Sequence, residues 1–306
     1  MASRKSNLWN LCEMKAPHYT VDQRTLNLSD QQLVYRLYKH AGVSSGRRLV
    51  LVHGAGVGGR DTWEMLQSFL THWDEILVPD MRGTGDTRYP DGLEHEFSVQ
   101  QLVADLNALV DHLGWWQFDL GGYSLGGMVC MLFKQQHPDR VGKQYLLESA
   151  ALDRPDWRST VTLRERYSDA AVHLRTANRE AGIRQFLDTI SPNRRITEQT
   201  ERLTIARLGY RPEGFANALD AVTKGIRDLD REAILAAQGD VSSFIGGQSV
   251  ELMHQLHMHL ADGMPNWHYF HVAGTDHSLP FQKPRQIARI MNAELERYLS
   301  QRNKTA

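Results

Sequence analysis

The chain has 306 residues, 41% of them hydrophobic and 23% charged, which is enough apolar side chain for a buried core and excludes disorder or a collagen-like repeat. Lys and Arg number 35 against 36 Asp and Glu, so no basic excess exists to attract phosphate backbones or anionic lipid, and neither nucleic acid nor a membrane is an expected partner. The opening twenty residues lack an apolar run of signal-peptide length, and no stretch approaches the roughly 18 consecutive apolar residues of a membrane span, so a soluble cytoplasmic protein is expected.

In chain order, Tyr19 to Leu28 and Leu33 to Tyr38 are rich in β-formers and read as an antiparallel start to a sheet. Arg48 to His53 is a short apolar run ending at glycines, which suits a strand buried on both faces. Further runs of this kind are Ile76–Val78, Phe118–Leu120, Tyr145–Leu147, Ile234–Ala237 and Trp267–Val272. Between them lie helical patterns. The clearest begins at Ser98, which forms a capping box with Gln101, carries Leu102, Leu106, Leu109, Val110 and Leu113 on one face, and stops at Gly114. Alternating strands and helices predict an α/β fold with a doubly wound, mostly parallel sheet. Residues 151–232 interrupt the alternation with an Arg-rich, helical stretch, read as a cap inserted into a core formed by 1–150 and 233–306.

Three short motifs carry chemistry, and a fourth ties loops beside them. Gly122-Tyr123-Ser124-Leu125-Gly126 lies between a strand and an apolar helix, the setting of a nucleophile elbow. The turn holds the serine strained and exposes its Oγ at the positive end of the helix, while glycines two residues away on each side avoid Cβ clashes. His53-Gly54-Ala55-Gly56 closes the first buried strand, where the N–H groups of Ala55 and Leu125 make an oxyanion hole. The glycines from Gly54 to Gly59 do not fit a dinucleotide loop, because the leading His-Gly and the serine elbow have no place in such a unit. Asp80 and Arg82, after the second buried strand, are expected to tie loops together. His277, in Gly274-Thr275-Asp276-His277, follows the last strand at the end of the sheet where sites form.

Other conspicuous residues read as structural. Cys12 and Cys130 sit in no C-x-x-C pattern and are taken as ordinary thiols. His254 and His257 share a helix face but His259 does not, and no carboxylate has matching spacing, so a solvated helix is expected in place of a metal site. Trp115 and Trp116 are expected to pack in a loop.

With these motifs in place the chain resembles the α/β-hydrolase superfamily, and within it the capped serine esterases and lyases, over residues 48–150 and 233–298. The resemblance implies Ser124 as nucleophile, His277 as general base, Ala55 and Leu125 as oxyanion donors, and no cofactor or metal. Haloalkane dehalogenases and epoxide hydrolases are similar but carry Asp where this chain has Ser124. For the acid the resemblance leaves two candidates. The usual place is about three residues after a glycine beyond the cap, where this chain has Ser242 after Gly239, with Asp240 two residues early. Some relatives instead carry the acid about 24 residues after the nucleophile, which is Glu148 here, with a serine in the usual place. Glu148 is favoured, Ser242 being a supporting partner and Asp240 the alternative.

The implied reaction is acyl transfer on a small to medium carboxylic ester. Cleavage of a carbon–carbon bond beside a ketone uses the same triad, and a noncatalytic ligand receptor on the same scaffold is the rival of a different class. Trp157, Tyr167, Phe186, Tyr210 and Phe215 in the cap are expected to make the site apolar and limit acyl length, or else to form the cap's own core.

Overall fold

The computed structural model describes residues 19–305. The chain runs β1 (Tyr19–Asn27), β2 (Gln32–His40), β3 (Arg48–Val52), α1 (Gly59–Gln67), β4 (Glu75–Pro79), α2 (Val99–His112), β5 (Phe118–Tyr123), α3 (Leu125–Gln136) and β6 (Val141–Leu147). Then follow α4 (Trp157–Leu174), α5 (Arg179–Ile190), α6 (Glu198–Leu208), α7 (Pro212–Asp228) and α8 (Arg231–Ala236). The chain returns to the sheet with β7 (Asp240–Gly246), α9 (Glu251–Gly263), β8 (Trp267–Val272), α10 (Leu279–Gln282) and α11 (Pro284–Thr305).

Among the described residues the eight strands form one sheet in the order β1-β2-β4-β3-β5-β6-β7-β8. β2 pairs antiparallel with β1 and β4, as the opening β-rich segments suggested, and the remaining pairs are parallel. Alternation along β3 sends Leu49 and Leu51 to one face, against Trp63 and Leu66 of α1 and Ile287 and Met291 of α11. Val50 and Val52 point to the other, against Leu102 and Leu106 of α2 and Val129 of α3. All four are fully buried, which is why this strand reads as an unbroken apolar run. The Ser98 capping box forms as expected, and Gly114, at a φ of 66°, ends the turn after α2.

One expected strand is a helix. Ile234–Ala237 falls mostly in α8, whose N-cap Asp230 accepts a hydrogen bond from the Ala233 N–H, and the strand after the cap is β7. A four-residue apolar run fits a buried helical turn as well as a strand, and here the cap residue decides. β7 escaped notice because its Ser242 and Ser243 are polar, although both are completely buried. Between β6 and β7 only helices occur. α4, α5 and α7 pack on one another around Tyr167, Phe186 and Phe215, whose rings meet edge to face at 5.2 Å each.

Candidate active site

Ser124 and Glu148 are the only non-glycine residues with positive φ among the described ones, at 54° and 42°. Each directly follows the last pair of adjoining strands, Tyr123 beside Leu147, so the register alone sets the two side chains next to each other at the carboxyl ends of β5 and β6. Two such strained backbones, side by side, mark a functional constraint. The Ser124 N–H bonds to the Leu147 carbonyl at 3.0 Å and the Glu148 N–H to the Phe244 carbonyl at 3.1 Å, which holds both turns in place. A Cβ on Gly122 would lie 2.4 Å from the Gly126 carbonyl oxygen, and one on Gly126 would lie 2.2 Å from that of Val52. The elbow therefore requires both glycines.

His277, in the loop between β8 and α10, reaches back over β7 and β6. Its Nδ1 lies 2.7 Å from Glu148 Oε2 and its Nε2 lies 3.1 Å from Ser124 Oγ. A carboxylate only accepts, so Nδ1 carries the proton and Nε2 faces the serine hydroxyl as acceptor. The second carboxylate oxygen of Glu148 accepts from the Gly246 N–H at 2.7 Å and from the Ser249 hydroxyl. Complete burial opposes charge on Glu148, but the hydrogen bond and charge of His277, with Ser249 and Gly246, outweigh it and hold the carboxyl below its ordinary range.

The other acid candidate is elsewhere. Asp240 begins β7, six residues or about 20 Å of strand from the end that faces Ser124. There it pairs with the fully buried Lys143 and with Arg297. Ser242 is not the supporting partner either: alternation turns its hydroxyl away, and it donates to Glu294 at 2.9 Å. Ser249 fills that role, seven residues on, in the turn after β7. The sequence offered no sign of it because β7 itself was not recognised.

Ala55 lines the same cavity as Ser124, and Leu125 follows Ser124 directly in the chain. Leu125 is the first residue of α3, so its N–H has no intrahelical acceptor. His53 anchors the Ala55 loop: its Nδ1 donates to the Gly54 carbonyl at 2.7 Å, while its Nε2 accepts from the Met81 N–H at 2.9 Å. Asp80 and Arg82 tie loops, as expected. Asp80 accepts from the N–H groups of Gly59 and Asp86 and pairs with Arg36, and Arg82 bridges Asp105 and Asp30.

A cavity of about 280 Å³ opens from Ser124 and His277 to the helices of the insertion, walled by Phe186, Leu187, Ile190, Leu203 and Leu208. Of the five aromatics expected there, only Phe186 lines it. Tyr167 and Phe215 belong to the insertion's core, Tyr210 lines a neighbouring cavity, and Trp157 packs under Arg231.

His254 and His257 are not on a solvated face. The first bonds to the Tyr269 hydroxyl at 2.6 Å, and the second is fully buried with Nε2 3.3 Å from the Leu152 carbonyl. α9 packs these histidines onto β8, where aromatic neighbours Trp267 and Tyr269 make them part of the interior. Neither belongs to a metal-like group. The one such cluster among the described residues is Asp240, His268 and Glu294, whose charge is already met by Lys143 and Arg297. Cys130 is a buried thiol pushed up by burial, Trp115 is buried and Trp116 lies under Arg140, while Cys12 falls outside the described residues.

A family model described as alpha/beta hydrolase fold matches residues 47–184. The 2-hydroxy-6-oxo-2,4-heptadienoate hydrolase of Pseudomonas putida is 34% identical over 107 residues, and that match spans 34% of this chain and 38% of the relative. A protein bearing the name carbamate hydrolase RutD, from Pseudomonas savastanoi, is 26% identical over 80% of this chain and 94% of its own length. Among solved structures, a thermophilic esterase from Thermogutta terrifontis superposes with a TM-score of 0.69 at 19% identity, covering 90% of this chain and 99% of that one.

Proposed function

We propose that the chain is a serine carboxylesterase of the α/β-hydrolase superfamily, acting through Ser124, His277 and Glu148. The observation that carries this reading is the hydrogen-bonded row from Glu148 through His277 to Ser124, opening on a cavity with an apolar wall. Ser124 Oγ attacks the ester carbonyl while its proton passes to His277 Nε2. The carbonyl oxygen becomes an oxyanion received by the N–H groups of Ala55 and Leu125. Collapse breaks the C–O bond, and the imidazolium returns its proton to the departing alkoxide. Water then repeats the sequence on the acyl-enzyme, with His277 as base, and releases the acid. Glu148 fixes the histidine tautomer and stabilises its charged form throughout.

A fluorophosphonate probe should label Ser124 alone, and p-nitrophenyl esters should be turned over by the same protein. Labelling that survives Ser124→Ala, or ester turnover unaffected by it, refutes the reading. No labelling and no turnover in the native protein would favour a noncatalytic receptor.

The similarity to the heptadienoate hydrolase supports a second reading, hydrolysis of a carbon–carbon bond beside a ketone by the same triad. A kcat/KM for a vinylogous 1,5-diketone well above that for any simple ester would select it.

A further inference from the structure

We propose that Arg207 is an anion-binding residue of the site, so that the preferred substrate is a half-ester of a dicarboxylic acid, with its free carboxylate on Arg207 and its ester carbonyl at Ser124. The proposal rests on the reading of Ser124 as nucleophile. Arg207 is in the last turn of α6 and lines the cavity that also contains Ser124 and His277. It is carried close to the reacting end by its neighbour. A Cβ built on Gly56, in the oxyanion loop, would meet Leu208 at 2.8 Å and Phe215 at 2.7 Å, so this end of α6 rests directly on that loop.

Pairing singles the residue out. The cavity's other arginine, Arg194, is satisfied by Asp188, Glu201 and the Ser191 carbonyl. The guanidinium of Arg207, an exposed residue, has no hydrogen bond or ion pair to a described residue, and it stands where the first cavity meets a second one of about 470 Å³, the two sharing Val57, Leu203 and Arg207. In the second cavity Arg36, Arg60 and Arg211 are each paired with carboxylates, Asp80 and Asp86, Glu64, and Glu94. The acid of the first cavity, Asp276, lies beside His277 with its carboxylate accepting from the Ser278 N–H. What results is a cavity whose apolar wall is shared by a reacting serine and an unneutralised guanidinium. An apolar acyl chain ending in a carboxylate matches both, and a guanidinium is the group best shaped to take a carboxylate with two parallel hydrogen bonds.

The test compares p-nitrophenyl hydrogen adipate with p-nitrophenyl hexanoate, which have the same number of acyl carbons and differ in the terminal charge. The expected kcat/KM ratio is about tenfold in favour of the adipate, the discrimination of one charge-assisted hydrogen bond at a part-hydrated site. Arg207→Gln should bring the ratio to about one by raising KM for the adipate, and Arg207→Lys should retain part of the preference. A ratio of one or below in the native protein, or one that Arg207→Gln does not alter, overturns the proposal. A second arm needs no turnover: adipate is titrated calorimetrically into Ser124→Ala protein with and without Arg207→Gln. Binding weakened about tenfold by the second substitution supports the anion site even if the esterase reading fails, and equal binding overturns it.

Discussion

Single residues carry opposite roles according to which end of a strand they occupy. Glu148 and Asp240 are both buried carboxylates close to a glycine or a serine in sequence, yet one ends β6 beside Ser124 and the other begins β7 against Lys143. Glu148→Gln should therefore lose about 10⁴ in kcat without unfolding, since the amide cannot hold the imidazolium, as steady-state kinetics and circular dichroism will report. Asp240→Asn should keep its kcat and lose stability by roughly 1–3 kcal/mol in urea unfolding, because Lys143 keeps only Glu294 as a charged partner. His257 makes a prediction in pH. Burial pushes it down from 6.5 to about 4, so between those values the unfolded chain binds a proton that the folded chain refuses. Its neutral form costs nothing above pH 6.5; as pH falls towards 4 it withdraws about 3 kcal/mol of stability, and below that the loss levels off. Unfolding measured at intervals across this window should show a steeper decline in the native protein than in His257→Leu.

At the scale of elements, α4 is fastened to the chain leaving β6 by a buried ion pair. Arg164 on α4 lies 2.8 Å from Asp153, both are 1% exposed, and the same guanidinium donates to the Ala150 carbonyl. The Ala150 N–H in turn bonds to the Ser124 carbonyl at 2.9 Å, so α4 is two hydrogen bonds from the nucleophile. Asp153→Leu leaves an uncompensated buried cation and should cost about 3–5 kcal/mol in a denaturant melt. The exposed pair Arg227–Glu165, between α7 and α4, serves as the control, and Glu165→Ala should cost less than about 1 kcal/mol. A loss at Asp153 no larger than at Glu165 would mean that the pair fastens nothing.

For the whole molecule, the carboxyl ends of the strands bring Ser124, Glu148 and His277 together, and helices between β6 and β7 wall the cavity beside them. Phe186, Leu187 and Ile190 of α5 close the apolar side of the cavity, so p-nitrophenyl esters of short acyl chains should be turned over faster than long ones. Phe186→Ala should lengthen the preferred chain by opening that wall, although Phe186 also packs on Tyr167 and Phe215 and some stability will go with it. An acyl-length profile identical in the two proteins would show that the wall does not limit the substrate.

The sequence by itself determined the parallel sheet, the elbow at Ser124 and the position of His277, because each is written in local pattern: buried apolar runs, glycines that sterics demand, and a histidine placed after the last strand. It also favoured Glu148 through its distance along the chain from Ser124. Tertiary structure decided the rest. The strand at Asp240–Gly246 hides behind buried serines, and only its register shows Asp240 at the far end of the sheet and Ser242 turned towards Glu294. Ser249 and Arg207 likewise have no local signature, since what sets each apart is a neighbour, or the lack of one, contributed by chain distant in sequence. Pattern along a chain reports backbone conformation and burial, whereas the pairing of polar side chains across elements exists only once those elements are packed.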